Sequence, residues 1–220
     1  MTSATPPRGM SRTEIARRAA LDLPAGICVN LGVGMPTLVA DYIPPERQVI
    51  LHSENGLLGF GPTPPPDGRD LDLSNASSQF VTLLPGGAVV NHADSFALIR
   101  GGHIDMTLLG AFQVSVTGDL ANWSLGEEEA SLPPAVGGAM DLAFGARTVW
   151  VLMDHTERDG TAKIVERCSY PLTAPGVVKR IYTNLAVIDV TPEGLHLRKT
   201  APGIDAATVQ AWTAARLLTA

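Results

Sequence analysis

The sequence predicts an α/β domain whose mostly parallel sheet is covered by helices on both faces. Two observations predict it. The short runs "ICVNL", "QVILHS", "QFVTLL", "IDMTLLGAF", "TVWVLMD" and "LAVIDV" are apolar on both faces of an extended chain, as strands buried from two sides must be. Between them, "HADSFALIR", "GAMDLAFGA" and "DAATVQAWTAARLL" carry helical spacing, and strands alternating with helices pair in parallel through crossovers. With 220 residues, 45% of them hydrophobic and 17% charged, one domain can bury a sizeable core. Residues 1–220 are therefore read as a single domain, with residues 1–10 a flexible N-terminus.

The first helix is read from a capping box. Ser11 followed by Glu14 can satisfy two orphan amides reciprocally, which places a helix from Arg12 to Leu23, closed by Pro24 and Gly26. "ICVNL" is the first strand and runs into "GVGMP", where Pro36 suits the first turn of a second helix through "TLVADYI". "QVILHS" is the next strand. The segment after it, "GPTPPPDGRD", is too rich in proline and glycine for regular structure. It reads as a surface excursion rather than a linker, since no shift in composition follows it.

Charge and cysteine content exclude several functions. A net charge of −6 with no run of Lys or Arg longer than two argues against a phosphate-backbone partner, so no nucleic acid is expected. The opening "MTSATPPRGMSRTE" lacks the apolar core of a signal peptide and no apolar run is long enough to span a bilayer; the chain reads as cytoplasmic with no membrane partner. Cys28 and Cys168 form neither a disulfide framework nor a CxxC pair. His52, His92, His103, His155 and His196 are scattered without metal-ligand spacing, and no metal is expected.

In open α/β sheets ligands bind where strands end and helices begin. Three glycine-bearing loops qualify: "NLGVGMP", "HSENGLLG" and "AVGGAMD". Gly32 and Gly34 could present backbone N–H groups to an anionic or carbonyl ligand, but Met35, Pro36 and Thr37 follow, so this is no dinucleotide fingerprint. A tight turn without a ligand fits those two glycines as well. Gly137 and Gly138 could face developing oxyanion charge or make an ordinary turn. Glu54 stands at the end of an apolar run, against Gly56, Gly59, Gly61 and Pro62. It could be a nucleophile or a capping carboxylate, with no His or Lys beside it in sequence to suggest a triad.

"NLGVGMPTLVADYI", "LHSENGLLGFGP", "SFALIRGGHIDMTLLGAFQVS", "GDLANW", "GGAMDLAFGAR" and "RCSYPLT" together resemble the B subunit of family I CoA transferases, in order and over nearly the whole chain. The resemblance implies that family's open α/β fold, with Glu54 as catalytic nucleophile and the Gly138 N–H in an oxyanion hole completed by an A subunit. Gly32, Gly34, Asn55, Gly56 and Gly137 become candidate substrate- and CoA-binding positions. It further implies an A2B2 heterotetramer, acyl-CoA and 3-oxoacid substrates, and no cofactor beyond coenzyme A itself as substrate and transient adduct.

Within the family, "HADSFALIRGGHIDMTLLGAFQVS" and the stretch "ANWSLGEEEASLPPAVGGAMD" resemble the 3-oxoadipate-specific members more than the succinyl-CoA:acetoacetate enzymes. Glu127, Glu128 and Glu129 in that stretch read as a solvated acidic loop. Other readings are a hydrolase or isomerase of related fold, or a noncatalytic acyl-CoA-binding partner.

Overall fold

The computed structural model describes residues 6–126 and 135–219; the Glu127–Glu129 triplet lies outside them. Helix α1 (Arg12–Asp22) starts as its capping box requires: Glu14 N–H donates to Ser11 Oγ at 3.3 Å, and Ser11 N–H donates to Glu14 Oε2 at 2.7 Å. The helix stops before Pro24, which disfavours helical geometry in its predecessor, and buries Ile15, Ala16, Ala19 and Ala20.

The remaining elements are β1 (Cys28–Leu31), β2 (Ile50–Ser53), β3 (Leu57–Phe60), β4 (Leu83–Val89), α2 (His92–Arg100), β5 (Met106–Leu109), β6 (Gln113–Ser115), β7 (Leu120–Ala121), α3 (Ala139–Gly145), β8 (Thr148–Leu152), β9 (Ile164–Val165), β10 (Val178–Tyr182), β11 (Ala186–Thr191), β12 (Gly194–Thr200), α4 (Ala206–Ala211) and β13 (Leu217–Leu218). The main sheet runs in the order β13-β12-β11-β10-β8-β5-β1-β2-β3-β4. Its centre, from β2 through β1, β5 and β8 to β10, is entirely parallel, and hairpins extend it on both flanks. A small second sheet is ordered β7-β6-β9.

Strand β8 shows why the central runs are continuously apolar. Val149 and Val151 pack with Ile99, Leu142 and Ile181 on one face. Trp150 and Leu152 pack with Ile15, Ala19 and Tyr182 on the other. Two cores on opposite faces leave no position on such a strand for a solvated side chain.

Three local readings are corrected. The helix after Pro36 forms as a 3₁₀ helix, Met35–Tyr42. Gly34, at φ 90°, offers no side-chain cap, the Thr37 hydroxyl bonds back to the Gly34 carbonyl at 2.7 Å, and Pro44 soon follows. So short a segment gains little from α-helical propagation. The run "QFVTLL" contributes only its last two residues to a strand: β4 starts at Leu83 and continues through Pro85, Gly86 and Gly87 as an outer, largely exposed strand. Proline is tolerated there because an edge strand can spare an N–H. At the C-terminus the long helix ends at Ala211. Thr213 Oγ1 donates to the Val209 carbonyl at 2.8 Å, and the Gln210 amide folds back to accept Leu217 N–H at 2.8 Å and donate to Ala215 O at 3.0 Å. Leu217 and Leu218 then pair with β12.

Candidate active site

The carboxyl ends of β1, β2, β5 and β8 converge on a cavity of about 580 Å³, lined among others by Gly32, Gly34, Glu54, Gly110, Phe112, Gly137, Gly138, Met153 and Asp154. Parallel strands all point their C-terminal loops to one edge. Three loops far apart in sequence, those of Gly34, Glu54 and Gly138, meet there for that reason.

Glu54 occupies a tight turn between β2 and β3. Gly56 N–H donates to the Ser53 carbonyl at 2.9 Å, and Gly56 O accepts from Val90 N–H at 2.8 Å. Gly56 is at φ +114°, and a Cβ there would collide with the Val90 carbonyl, so only glycine closes this turn. The half-buried Glu54 carboxyl faces Gly138, the residue that caps the N-terminus of α3. A Cβ on Gly138 would overlap Glu54 Oε2 and lie 3.1 Å from its Cδ and 3.0 Å from Phe96 Cζ. The Gly138 carbonyl accepts from Leu142 at 2.9 Å, whereas its N–H meets no protein acceptor among the described residues.

Helix α2 builds the wall behind this pair. His92, Phe96 and Arg100 recur every fourth residue and so share one face. The His92 and Phe96 rings lie 4.7 Å apart, the Arg100 guanidinium sits 5.4 Å from the Phe96 ring, and Arg100 grips Asp141 of α3 at 2.8 Å. Burial raises the Glu54 pKa above the ordinary carboxylate value; His92 pulls it down and Asp141 pushes it up. Proximity of His92 was hidden in sequence, where the two stand 38 positions apart (92 − 54).

A buried polar chain holds the strand that delivers Glu54. The Thr107 hydroxyl donates to Asn30 Oδ1 at 3.3 Å, orienting the Asn30 amide N–H toward His52 Nδ1 at 3.0 Å. His52 Nδ1 is therefore the acceptor, and Nε2–H donates to Ser95 Oγ at 2.9 Å. The Ser95 hydroxyl in turn points to the Ser53 carbonyl at 3.5 Å. Burial lowers the His52 pKa to about 4, which keeps it neutral.

The family model described as "Coenzyme A transferase" matches residues 12–211. The chain belongs to this family. It is similar to the B subunit of 3-oxoadipate CoA-transferase from Pseudomonas putida, 59% identical over 196 residues, which cover 89% of this chain and 91% of that protein. It is similar to the B subunit of succinyl-CoA:3-ketoacid coenzyme A transferase from Helicobacter pylori (strain J99), 45% identical over 193 residues covering 88% and 91%. Its fold matches the acyl-CoA transferase (YdiF) apoenzyme from Escherichia coli O157:H7, with a TM-score of 0.71 at 20% identity over 96% of this chain and 42% of that one. The chain thus spans about two fifths of that solved protein.

In this CoA transferase the candidate positions separate into groups. Glu54, Gly32, Gly34, Gly137 and Gly138 line the cavity. The Gly32 N–H is already given to the Leu108 carbonyl at 2.8 Å, so its part is to let the backbone pass closely over β5, where a Cβ would come within 3.0 Å of Leu108 O. Asn55 and Gly56 lie outside the lining. Asn55 is exposed and its amide donates to the Ser74 carbonyl at 2.7 Å.

The structure also adds residues that sequence reasoning passed over. Arg12, Asn122, Asp154 and Lys163 add polar side chains to the cavity wall beside Asn30 and Glu54. Arg12 and Asp154 pair at 3.1 Å, Arg12 exposed and Asp154 half-buried. Cys28 and Cys168 are free, with pKa values raised to about 11 chiefly by burial, so neither offers a thiolate nucleophile at neutral pH. Among the described residues no helix is long and apolar enough to cross a membrane, and no group of three or more His, Cys, Asp or Glu could hold a metal ion.

Proposed function

We propose that this chain is the B subunit of a CoA transferase that moves CoA from succinyl-CoA to 3-oxoadipate through a thioester on Glu54. The observation that carries the chemistry is the close approach of the Gly138 backbone to the Glu54 carboxyl inside the cavity. A carboxylate is already ionised at neutral pH and needs no general base to become a nucleophile. Glu54 attacks the thioester carbonyl, and the oxygen that gains charge is held by the Gly138 N–H together with a donor from the A subunit. The C–S bond breaks, and CoA leaves as thiolate from a mixed anhydride. The thiolate then attacks the Glu54 carbonyl carbon, and succinate departs with the bridging oxygen. The acceptor acid reverses these steps.

One thioester is exchanged for another, so the reaction calls for no ATP, metal or other cofactor. The greater identity to the 3-oxoadipate relative than to the 3-ketoacid relative supports the choice of acceptor. The same names support an A-subunit partner, and the reading takes the complex to be an A2B2 assembly in the cytoplasm.

Glu54→Gln tests it. Co-expressed with its A subunit, the variant should fold and assemble normally yet lose on the order of 10³-fold or more in turnover. Acyl-CoA followed by borohydride should modify wild-type Glu54 and not the variant. Near-normal turnover in an assembled variant overturns the proposal. Wild-type kcat/KM should be higher for 3-oxoadipate than for acetoacetate; the reverse order reassigns the acceptor.

A further inference from the structure

Lys163 is the odd charge in the cavity wall. Its backbone is fixed just ahead of β9, where Lys163 O accepts from Val114 N–H at 2.9 Å and Lys163 N–H donates to His155 O at 3.3 Å. Its side chain is only 11% exposed, and its nearest carboxylate is Glu157, 3.6 Å away and outside the cavity lining. An ammonium carries three donors and makes charge-assisted hydrogen bonds at about 2.7–2.9 Å. Among the described residues none of those donors has a hydrogen-bond acceptor. The other cation of the wall, Arg12, is already bonded to Asp154. An ammonium on so enclosed a side chain, held by one long ion pair, has donors to spare, and the space it borders is the cavity that holds Glu54.

We infer that Lys163 is the specificity residue that receives the second carboxylate of a dicarboxylic substrate while the first reacts at Glu54. This rests on the proposed transferase function. The same cavity wall includes Leu109, Ala111, Phe112 and Met153, apolar side chains suited to the methylene chain that separates the carboxylates of succinate or 3-oxoadipate. A monocarboxylic 3-oxoacid leaves Lys163 with only its long ion pair to Glu157 and forfeits the charge-assisted hydrogen bonds that a second carboxylate would make.

The test uses the chain purified with its A subunit and loaded as the CoA thioester by succinyl-CoA, with excess donor removed. Wild type, Lys163→Met and Lys163→Arg are then discharged with 3-oxoadipate, succinate or acetoacetate. The inference expects Lys163→Met to lower the 3-oxoadipate-to-acetoacetate and succinate-to-acetoacetate rate ratios about tenfold or more, with Lys163→Arg restoring part of the loss. Ratios unchanged by Lys163→Met overturn it and leave Lys163 a structural cation. The anion could instead be a phosphate of CoA; then Lys163→Met raises KM equally for succinyl-CoA and acetyl-CoA with the ratios intact, which also overturns it. A wild-type complex that forms no thioester defeats the functional proposal itself, before any variant is compared.

Discussion

Under the proposed mechanism, Gly138→Ala should separate catalysis from stability at a single methyl group. The Gly138 φ of −81° is open to any L-residue, so alanine brings no backbone strain, and at a helix N-cap the loss relative to glycine is about 1 kcal/mol or less. The Tm of a domain this size should fall by only about 2–4 °C. The added Cβ, however, overlaps Glu54 Oε2 and lies 3.1 Å from its Cδ, with Phe96 at 3.0 Å blocking retreat on another side. The carboxyl must move by roughly 1 Å, and a misplacement of that order costs about 10²-fold in rate. Gly137→Ala should behave inversely. Gly137 sits at φ +54° with nothing within 4 Å of the point a Cβ would occupy, so alanine costs about 1–2 kcal/mol of stability and a smaller share of activity. Thioester formation followed by intact-protein mass spectrometry, beside thermal melts, reads both variants. A Gly138→Ala complex that acylates at the wild-type rate, or that is less stable than Gly137→Ala, refutes the reasoning.

Two further outcomes follow from groups that support the site. His52 and His155 are both buried with pKa values lowered to about 4, against an ordinary value of 6.5, and burial is the cause in each. The unfolded chain takes up these protons below about pH 6.5 while the folded one resists until about pH 4, so stability falls as pH drops through that window. The loss approaches about 3 kcal/mol per histidine, and urea midpoints should decline between pH 6.5 and 4; His155→Gln should flatten the decline while lowering stability at neutral pH, because it breaks the bonds to Thr183 at 2.8 Å and Thr213 at 2.9 Å. Gly56→Ala places a Cβ against the Val90 carbonyl at φ +114°, and should cost about 2–4 kcal/mol; a melt within about 2 °C of wild type would contradict the account of the turn.

What was legible in the sequence was what neighbours decide. The Ser11–Glu14 cap is a bargain among four consecutive residues, and α1 formed where that pattern placed it. The turn after Ser53 and the two-faced apolar strands were legible on the same footing. The glycine-rich stretch that follows was not wholly a turn, since Leu57–Phe60 with Gly59 forms β3 and pairs with β2. Tertiary partners decided the rest. Leu217 and Leu218 carry helical spacing but pair with β12, because the Gln210 amide and Thr213 hydroxyl close the helix first. Strands β10 and β12 went unread since Lys179, Arg180, Arg198 and Lys199 interrupt their apolar pattern on partly solvated faces. In the cavity, Glu54 and the Gly137–Gly138 pair stood out locally. Lys163 did not, because only the crossovers that bring β8 beside β5 and β1 carry its loop to the same edge. The His92, Phe96 and Arg100 spacing was the one available signal for the wall behind Glu54.

The turn that carries Glu54 is pinned at both ends, by Gly56 to Ser53 and by Val90 to Gly56. A side chain mounted there is a fixed post rather than a swinging arm. In a transferase working through Glu54, donor and acceptor acids must then use one seat in succession, the first leaving before the second can arrive. Initial-rate plots at several fixed concentrations of one substrate should form parallel lines, and each free acid should compete with the other for the loaded enzyme. Exchange is timed by departure, and the protein itself need carry nothing from place to place.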